Sequence, residues 1–223
     1  MVAVAIYAIG MAYLESAAVL YLRTIYGGVD PAGPRRPPFD PLPEFVWLEI
    51  GREAATMIML AAVAWLGGRG LAGRLGAFAL AMGIWEIFYY LFLRLFVGWP
   101  SSLLSPDVLF LIPLPWWGPV FSPVLIAAIM VAAGGTAMAR ERGDGLPRPD
   151  AAAVLLVLGG VCVCLMAFML DALRALAGGI EAAYMVRGSE FPWLLYLTGL
   201  ALAVLGVVRG LGAVGARPAV REA

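Results

Sequence analysis

Long apolar runs separated by short polar connections dominate this chain. A helix that crosses the hydrocarbon core of a bilayer needs about 20 mostly apolar residues. Segments of that length predict six transmembrane helices, at residues 2–22, 45–66, 75–97, 108–137, 151–176 and 191–208. The pattern therefore predicts an all-α fold, a polytopic transmembrane helix bundle in which residues 1–223 form a single integral membrane domain.

The fourth predicted span differs from the others because prolines interrupt its first half. Four prolines lie between residues 113 and 123 and flank the pair Trp116 and Trp117. Proline removes an amide donor and clashes with the preceding turn, so we expect residues 113–119 not to form regular helix. One interpretation is a re-entrant or broken segment covered by protein, followed by a true span near residues 121–137. The other is an interfacial loop in which the tryptophans contact the headgroups.

The connections between the spans differ in character. Residues 31–43 contain six prolines, which predicts an extended, polyproline-like path. A Gly-Arg turn joins the second and third spans, and residues 177–190 are expected to hold a short surface helix. Six spans place both termini on one side, where we count eight arginines against six on the other. This difference favours cytoplasmic termini.

The amino-acid composition agrees with a membrane location and excludes several kinds of catalytic and metal-binding site. Hydrophobic residues make up 63% of the chain, charged residues 13%, and the mean hydropathy is +0.92. Soluble domains are about 45–50% apolar and about 25% charged. The chain has no lysine, histidine, asparagine or glutamine. Histidine metal ligands, Ser-His-Asp and Cys-His arrangements and lysine Schiff bases are therefore excluded, and no basic stripe is present to bind nucleic acid.

Charged and tyrosine side chains inside the predicted spans collect on one side of the membrane. Glu49, Arg52 and Glu53 have the i, i+3, i+4 spacing that places them on one helix face. Because successive spans cross the membrane in opposite directions, all of these side chains are expected in the outer half of the membrane or near its midplane. The proline-interrupted segment is expected in the same half. The candidate pocket residues are Glu15, Glu49, Arg52, Glu53, Glu86, Tyr89, Tyr90, Arg94, Trp116 and Trp117.

These buried charges need partners. An ionised side chain at the bilayer centre costs about 2.5–3.5 kcal/mol on insertion scales. Arg52 and Arg94 can each neutralise one carboxylate, which leaves others to be protonated or to bind a cation or a cationic ligand. A hard cation such as Mg²⁺, Mn²⁺ or Ca²⁺ at the Glu cluster is one alternative, although no fixed ligand spacing is present. The other is a structural role, in which Glu and Arg pair to hold helices together.

Four segments are distinctive: YLESAAVLYLRTIY, GREAATMIMLAAVAWL, WEIFYYLFL and GWPSSLLSPDVLFLIPLPWWGPV. They resemble a family of bacterial multi-pass membrane proteins of unknown function. This resemblance covers roughly residues 10–130. It implies a bacterial inner-membrane location and supplies no activity, substrate or cofactor. The chain differs from prenyl-transferring membrane enzymes in lacking a DDxxD-type pair, and from CAAX-type intramembrane proteases in lacking histidine.

Three kinds of function fit these observations. The first is a pocket in the outer half that binds a small or amphiphilic molecule for transport or sensing. The second is an intramembrane enzyme that uses carboxyl groups as acid and base on a lipid or isoprenoid. The third is a structural or assembly subunit of an oligomer or a larger membrane complex. The expected partners are the lipid bilayer and an amphiphilic ligand, and nucleic acid is not expected.

Overall fold

The computed structural model describes residues 1–25, 46–142, 149–186 and 188–212. The predicted proline-rich path at residues 31–43 lies outside the described residues, as does most of the fourth connection. Within the described part of the chain, the elements in order are α1 (Val2–Ile25), α2 (Val46–Gly67), α3 (Leu71–Val97), β1 (Pro106–Phe110), β2 (Trp116–Pro119), α4 (Phe121–Arg142), α5 (Ala151–Ala175), α6 (Ile180–Met185) and α7 (Trp193–Gly212). A single 3-10 turn, Leu176–Gly178, follows α5.

Six of these helices, all except α6, are long and apolar enough to cross a membrane. The predicted helix bundle with six spans is therefore confirmed. The short helix α6 lies in the fifth connection, where a surface helix was expected. The turn between α2 and α3 is shorter than predicted, because α3 already begins at Leu71.

The helices pack in two groups. In the first group, α3 is central and packs against α1, α2 and α4. The second group is the pair α5 and α7, and α4 makes a smaller contact with α7. Glycines allow α5 and α7 to approach closely, since a Cβ added at Gly160 would lie 2.4 Å from the backbone nitrogen of Ala203. The outward surface is apolar, with Leu66 84% and Leu194 83% exposed. Such a surface is suited to lipid and not to water.

The segment between α3 and α4 forms a β-hairpin. Its antiparallel strands pair Pro106 with Pro119 and Asp107 with Gly118, and the register shifts between Val108 and Phe110. Residues 113–119 are not helical, as the prolines predicted. The span that follows begins at Phe121, so the first part of the predicted fourth span is hairpin and not helix. The strands themselves were not predicted.

The hairpin contacts helix side chains well inside the helix ends. The Tyr90 hydroxyl donates to the Asp107 carboxylate at 2.9 Å, and the Leu111 amide donates to the Glu53 carboxylate at 2.8 Å. Tyr90 lies seven residues before the end of α3, and Glu53 lies seven residues after the start of α2. That spacing is about 10 Å along each helix. These contacts favour the re-entrant interpretation, in which protein covers non-helical backbone at membrane depth.

Carboxylates cap helices at the opposite side of the bundle. Glu141, near the end of α4, accepts hydrogen bonds from the backbone amides of Arg69 and Gly70 at the start of α3. Asp150 caps α5 by accepting from the Ala153 amide and pairs with Arg209 at 2.6 Å. The hydrogen bond from Arg209, followed by that from Ala153, holds the pKa of Asp150 below its usual value.

Candidate functional site

A buried polar network joins the first three helices. The Arg52 guanidinium on α2 donates to Glu15 on α1 and, at 2.8 Å, to Glu49 on its own helix. The Glu15 carboxylate also accepts from the Thr56 hydroxyl at 3.1 Å and from the Trp85 indole at 2.7 Å. We call these five residues the polar network. The Glu/Arg cluster expected from the sequence is present, with Thr56 and Trp85 as further members.

The polar network is internally satisfied. Glu15 is 8% exposed and has a hydrogen-bond donor from each of three side chains. Glu49 is 4% exposed and accepts from Arg52, whose side chain is 28% exposed. Buried polar groups that find partners within the protein stabilise helix contacts and leave little capacity for a ligand. The geometry thus fits the structural role for this part of the predicted site.

Glu53 does not join the polar network, although it shares a helix face with Glu49. Its carboxylate accepts from the Leu111 amide in the loop between the strands. The Tyr184 hydroxyl on α6 donates to the carbonyl oxygens of Leu111, at 3.3 Å, and Pro113, at 3.0 Å. Burial, and then the nearby Glu53 charge, raise the pKa of Tyr184. Glu53 and Tyr184 together fasten the hairpin to α2 and α6.

Four other predicted site residues make separate contacts. Tyr89 stacks on Trp85 with ring centroids 5.9 Å apart, and Tyr90 bonds to Asp107. Arg94 donates to the carbonyl oxygens of Gly98 and Pro100 after the end of α3, so its hydrogen bonds go to backbone. Trp117 packs beside Gly188. In the described part of the chain, the contacts of these four residues are separate from those of the polar network.

A partly enclosed cavity of about 90 Å³ lies between the two helix groups, beneath the hairpin. We call it the seam cavity. Its walls come from α3, both strands of the hairpin, α4 and α5. The lining residues are Met82, Trp85, Glu86, Leu109, Phe110, Trp116, Pro123, Ile126, Ala127, Met130 and Phe168. Glu86 and Trp116 are thus the predicted site residues that the structure places at one cavity.

Glu86 is the acidic residue of this otherwise apolar lining. Within the described residues, its carboxyl group has no hydrogen bond or ion pair. The carboxyl group of Asp107 is near enough to interact electrostatically with that of Glu86. Asp107 is 6% exposed and is occupied by Tyr90. A carboxyl group without a protein partner at a cavity is the arrangement that leaves capacity for a ligand.

Aromatic rings from the hairpin and from α5 line the seam cavity. Trp116 stacks on Phe168 with the ring planes 3° apart and the centroids 6.1 Å apart, and its centroid lies 5.2 Å from that of Phe110. The indole nitrogen of Trp116 is buried and has no hydrogen-bond partner among the described residues. Trp85 belongs to both regions, since it lines the cavity and donates to Glu15.

Asp107, Trp85 and Phe168 were not among the predicted site residues. Asp107 follows a Ser- and Pro-containing stretch that looks like a surface loop. The other two are aromatic residues in apolar spans, where packing is the ordinary role. The available signal for Asp107 was its position before the continuous apolar run at residues 108–112, which is compatible with a short buried strand.

Six apolar helices and a buried Glu/Arg cluster define a multi-pass membrane protein. Among the residues described, no three acidic or cysteine side chains converge to hold a metal ion. A scan against protein-family models and searches of curated proteins and of solved structures find no match. The argument for function therefore rests on the geometry of the site.

Proposed function

We propose that this protein binds one end of an amphiphilic molecule at the seam cavity, as a transporter or a sensor. The observation that supports this proposal is the Glu86 carboxyl group, which lines an apolar cavity without a partner in the described structure. Intramembrane ionisable residues that face a cavity and lack structural partners mark ligand or ion sites more often than packing sites.

The size of the cavity restricts what enters it. Pockets that hold a drug-sized ligand have volumes of about 300–1,000 Å³, whereas the seam cavity has about 90 Å³. The cavity therefore accommodates a small headgroup, and the chain of the amphiphile remains in the surrounding lipid.

The position of the cavity suits a ligand that arrives from the bilayer. Glu86 lies eleven residues before the end of the 27-residue helix α3, about 16 Å along a helix of about 40 Å. This is close to the middle of the span, where many transporters bind their substrates. The α1–α4 group and the α5–α7 pair make few contacts with each other, so separation of the two groups would open the cavity sideways.

An intramembrane enzyme is the second candidate, and the pair Glu86 and Asp107 favours it. Two carboxyl groups that interact electrostatically can take the roles of acid and base. Tyr90 would then position the Asp107 carboxyl group through its hydrogen bond. A deletion strain with an altered membrane lipid profile, restored by the wild-type gene and not by Glu86→Gln, would support this reaction over binding alone.

The proposal also includes the membrane location, the orientation and the alternative role in a complex that were predicted from the sequence. The resemblance to bacterial multi-pass proteins suggests an inner-membrane location, and the arginine count suggests cytoplasmic termini. A role as a subunit of a larger membrane complex would give a stable partner on purification in mild detergent.

Photolabelling tests the proposal. The purified protein is placed in phosphatidylglycerol nanodiscs with dodecanol that has a diazirine next to its hydroxyl end. After irradiation, mass spectrometry locates the label. We expect saturable labelling of residues 82–86 and 123–130, and we expect excess dodecanol to remove it.

A matched pair of variants controls for lipid-facing labelling. Ile126 lines the seam cavity and Ile129, one turn further along α4, does not. Ile126→Trp is expected to fill the cavity and abolish saturable labelling, whereas Ile129→Trp keeps it. Equal labelling in both variants, or labelling spread over exposed residues such as Leu155 and Leu194, would contradict the proposal.

A further inference from the structure

We infer that the headgroup bound at the seam cavity is a quaternary ammonium, so that the ligand is a cationic amphiphile of the alkyltrimethylammonium class. This inference rests on the proposed function and names its ligand. It is carried by the charge of the lining, by its aromatic rings and by the small number of its hydrogen-bonding groups.

The charge of the site excludes an anionic headgroup. The cavity lining contains the acidic residue Glu86 and no arginine, and Asp107 lies near Glu86. The described arginine nearest to Glu86 along α3 is Arg94, which donates to backbone carbonyls beyond the helix end. A phosphate or sulfate group would therefore meet no cationic side chain in this lining, whereas a cation would be attracted by the Glu86 carboxylate.

The aromatic residues provide the surfaces that bind alkylated ammonium groups. Trp85, Phe110, Trp116 and Phe168 all line the cavity. Electron-rich ring faces attract a cation without forming a hydrogen bond, and aromatic cages of this composition recognise quaternary ammonium ligands. The Trp116 and Phe168 rings stack in parallel, with centroids 6.1 Å apart, so each supports the position of the other at the cavity.

The hydrogen-bonding capacity of the lining distinguishes a quaternary from a primary ammonium. A primary ammonium has three N–H donors that need acceptors when water is removed. The lining offers the Glu86 carboxyl group as its side-chain acceptor, since an indole nitrogen only donates. A trimethylammonium has no N–H group, so its burial leaves no donor unsatisfied.

Competition with the photoreactive dodecanol tests this inference. The competitors are dodecyltrimethylammonium, dodecanol and dodecyl sulfate in phosphatidylglycerol nanodiscs. The readout is the ratio of the half-inhibiting mole fractions of dodecanol and dodecyltrimethylammonium. Because the cation also concentrates at an anionic bilayer, this ratio is compared between protein variants in the same nanodiscs.

We expect the ratio for wild-type protein to exceed that for Glu86→Gln by at least about tenfold. Glu53→Gln is the matched control, because Glu53 is a buried glutamate in the same half of the bundle that does not line the cavity. Its ratio is expected to equal that of the wild type. All three proteins must elute as single monodisperse species before the comparison.

Three results would overturn the inference. The ratio could be the same in Glu86→Gln as in the wild type, it could fall equally in Glu53→Gln, or dodecyl sulfate could be the strongest competitor. In each case dodecanol still labels the cavity, so the proposed function stands while the ligand class is rejected. Failure of dodecanol to label the cavity at all would reject both.

Discussion

The polar network makes a quantitative prediction about two glutamates on neighbouring helices. Glu15 has three donors from Arg52, Thr56 and Trp85, whereas Glu49 has the Arg52 donor alone among the described residues. We therefore expect Glu15→Gln to reduce the free energy of unfolding by more than Glu49→Gln does. The contrast is matched, because both changes replace a buried carboxylate of the same network by the amide of the same shape.

The magnitude follows from the donors that lose an acceptor. The amide of Glu15→Gln has one oxygen, which can face either Trp85 or Arg52, so one of these two donors loses its acceptor, at about 1–3 kcal/mol. The Thr56 hydroxyl keeps the backbone carbonyl oxygen of Arg52 as an acceptor. The lost ion pair to Arg52 adds about 0–1 kcal/mol, because the guanidinium is partly exposed and keeps Glu49. The total is about 1–4 kcal/mol. The amide oxygen of Glu49→Gln still accepts from Arg52, which limits its cost to under about 1 kcal/mol.

Reversible unfolding in mixed micelles provides the assay. Both variants and the wild type are unfolded with denaturant at neutral pH, and the free energies are compared at equal detergent composition. A cost for Glu49→Gln equal to or greater than that for Glu15→Gln would refute the assignment of Glu15 as the centre of the network. Normal photolabelling of the seam cavity in Glu49→Gln is also expected, since the network is proposed to be structural.

Two further predictions concern helix packing and a helix cap. Gly160→Ala should destabilise the α5–α7 pair by about 1–3 kcal/mol, because the added methyl group meets the α7 backbone. The neighbouring change Gly159→Ala meets nothing within 4 Å and should be neutral or slightly stabilising; equal costs would show that the close contact is absent. Asp150→Ala should lower the melting temperature at pH 7, where the Asp150 carboxylate pairs with Arg209. The pKa of Asp150 is lowered on folding, so its stabilisation is present above its ordinary value of 3.8 and is lost as pH falls through the folded-state pKa. The difference in melting temperature should therefore narrow below about pH 4, and a constant difference would contradict the ion pair.

Most of the fold could be predicted from the sequence because lipid imposes a strong constraint on helix length and composition. The spans and the break at residues 113–119 follow from apolar runs and proline chemistry. The strands could not be predicted in this way. Their pairing depends on contacts between distant residues, such as Asp107 with Tyr90 and Leu111 with Glu53.

The residue types of the candidate site could be predicted from the sequence, but the arrangement of their side chains could not. Spacing along α2 predicted the pair Glu49 and Arg52, which the structure contains. It also grouped Glu53 with them, yet that side chain turns to the hairpin. Glu15 has hydrogen-bond partners, whereas Glu86 has none among the described residues. This difference depends on the rotation of each helix about its axis. Single-sequence patterns do not encode that rotation when most of the helix surface is apolar.

The most direct test of the account is a density map of the protein taken from its native membrane into nanodiscs, with a bound antibody fragment to aid alignment. The region to inspect lies between Glu86, Trp116 and Phe168. The account predicts an additional density whose compact end lies beside the Glu86 carboxyl group and whose extended end continues into the lipid. A cavity closed by repacked side chains, or a Glu86 carboxyl group paired to another residue of the chain, would contradict it.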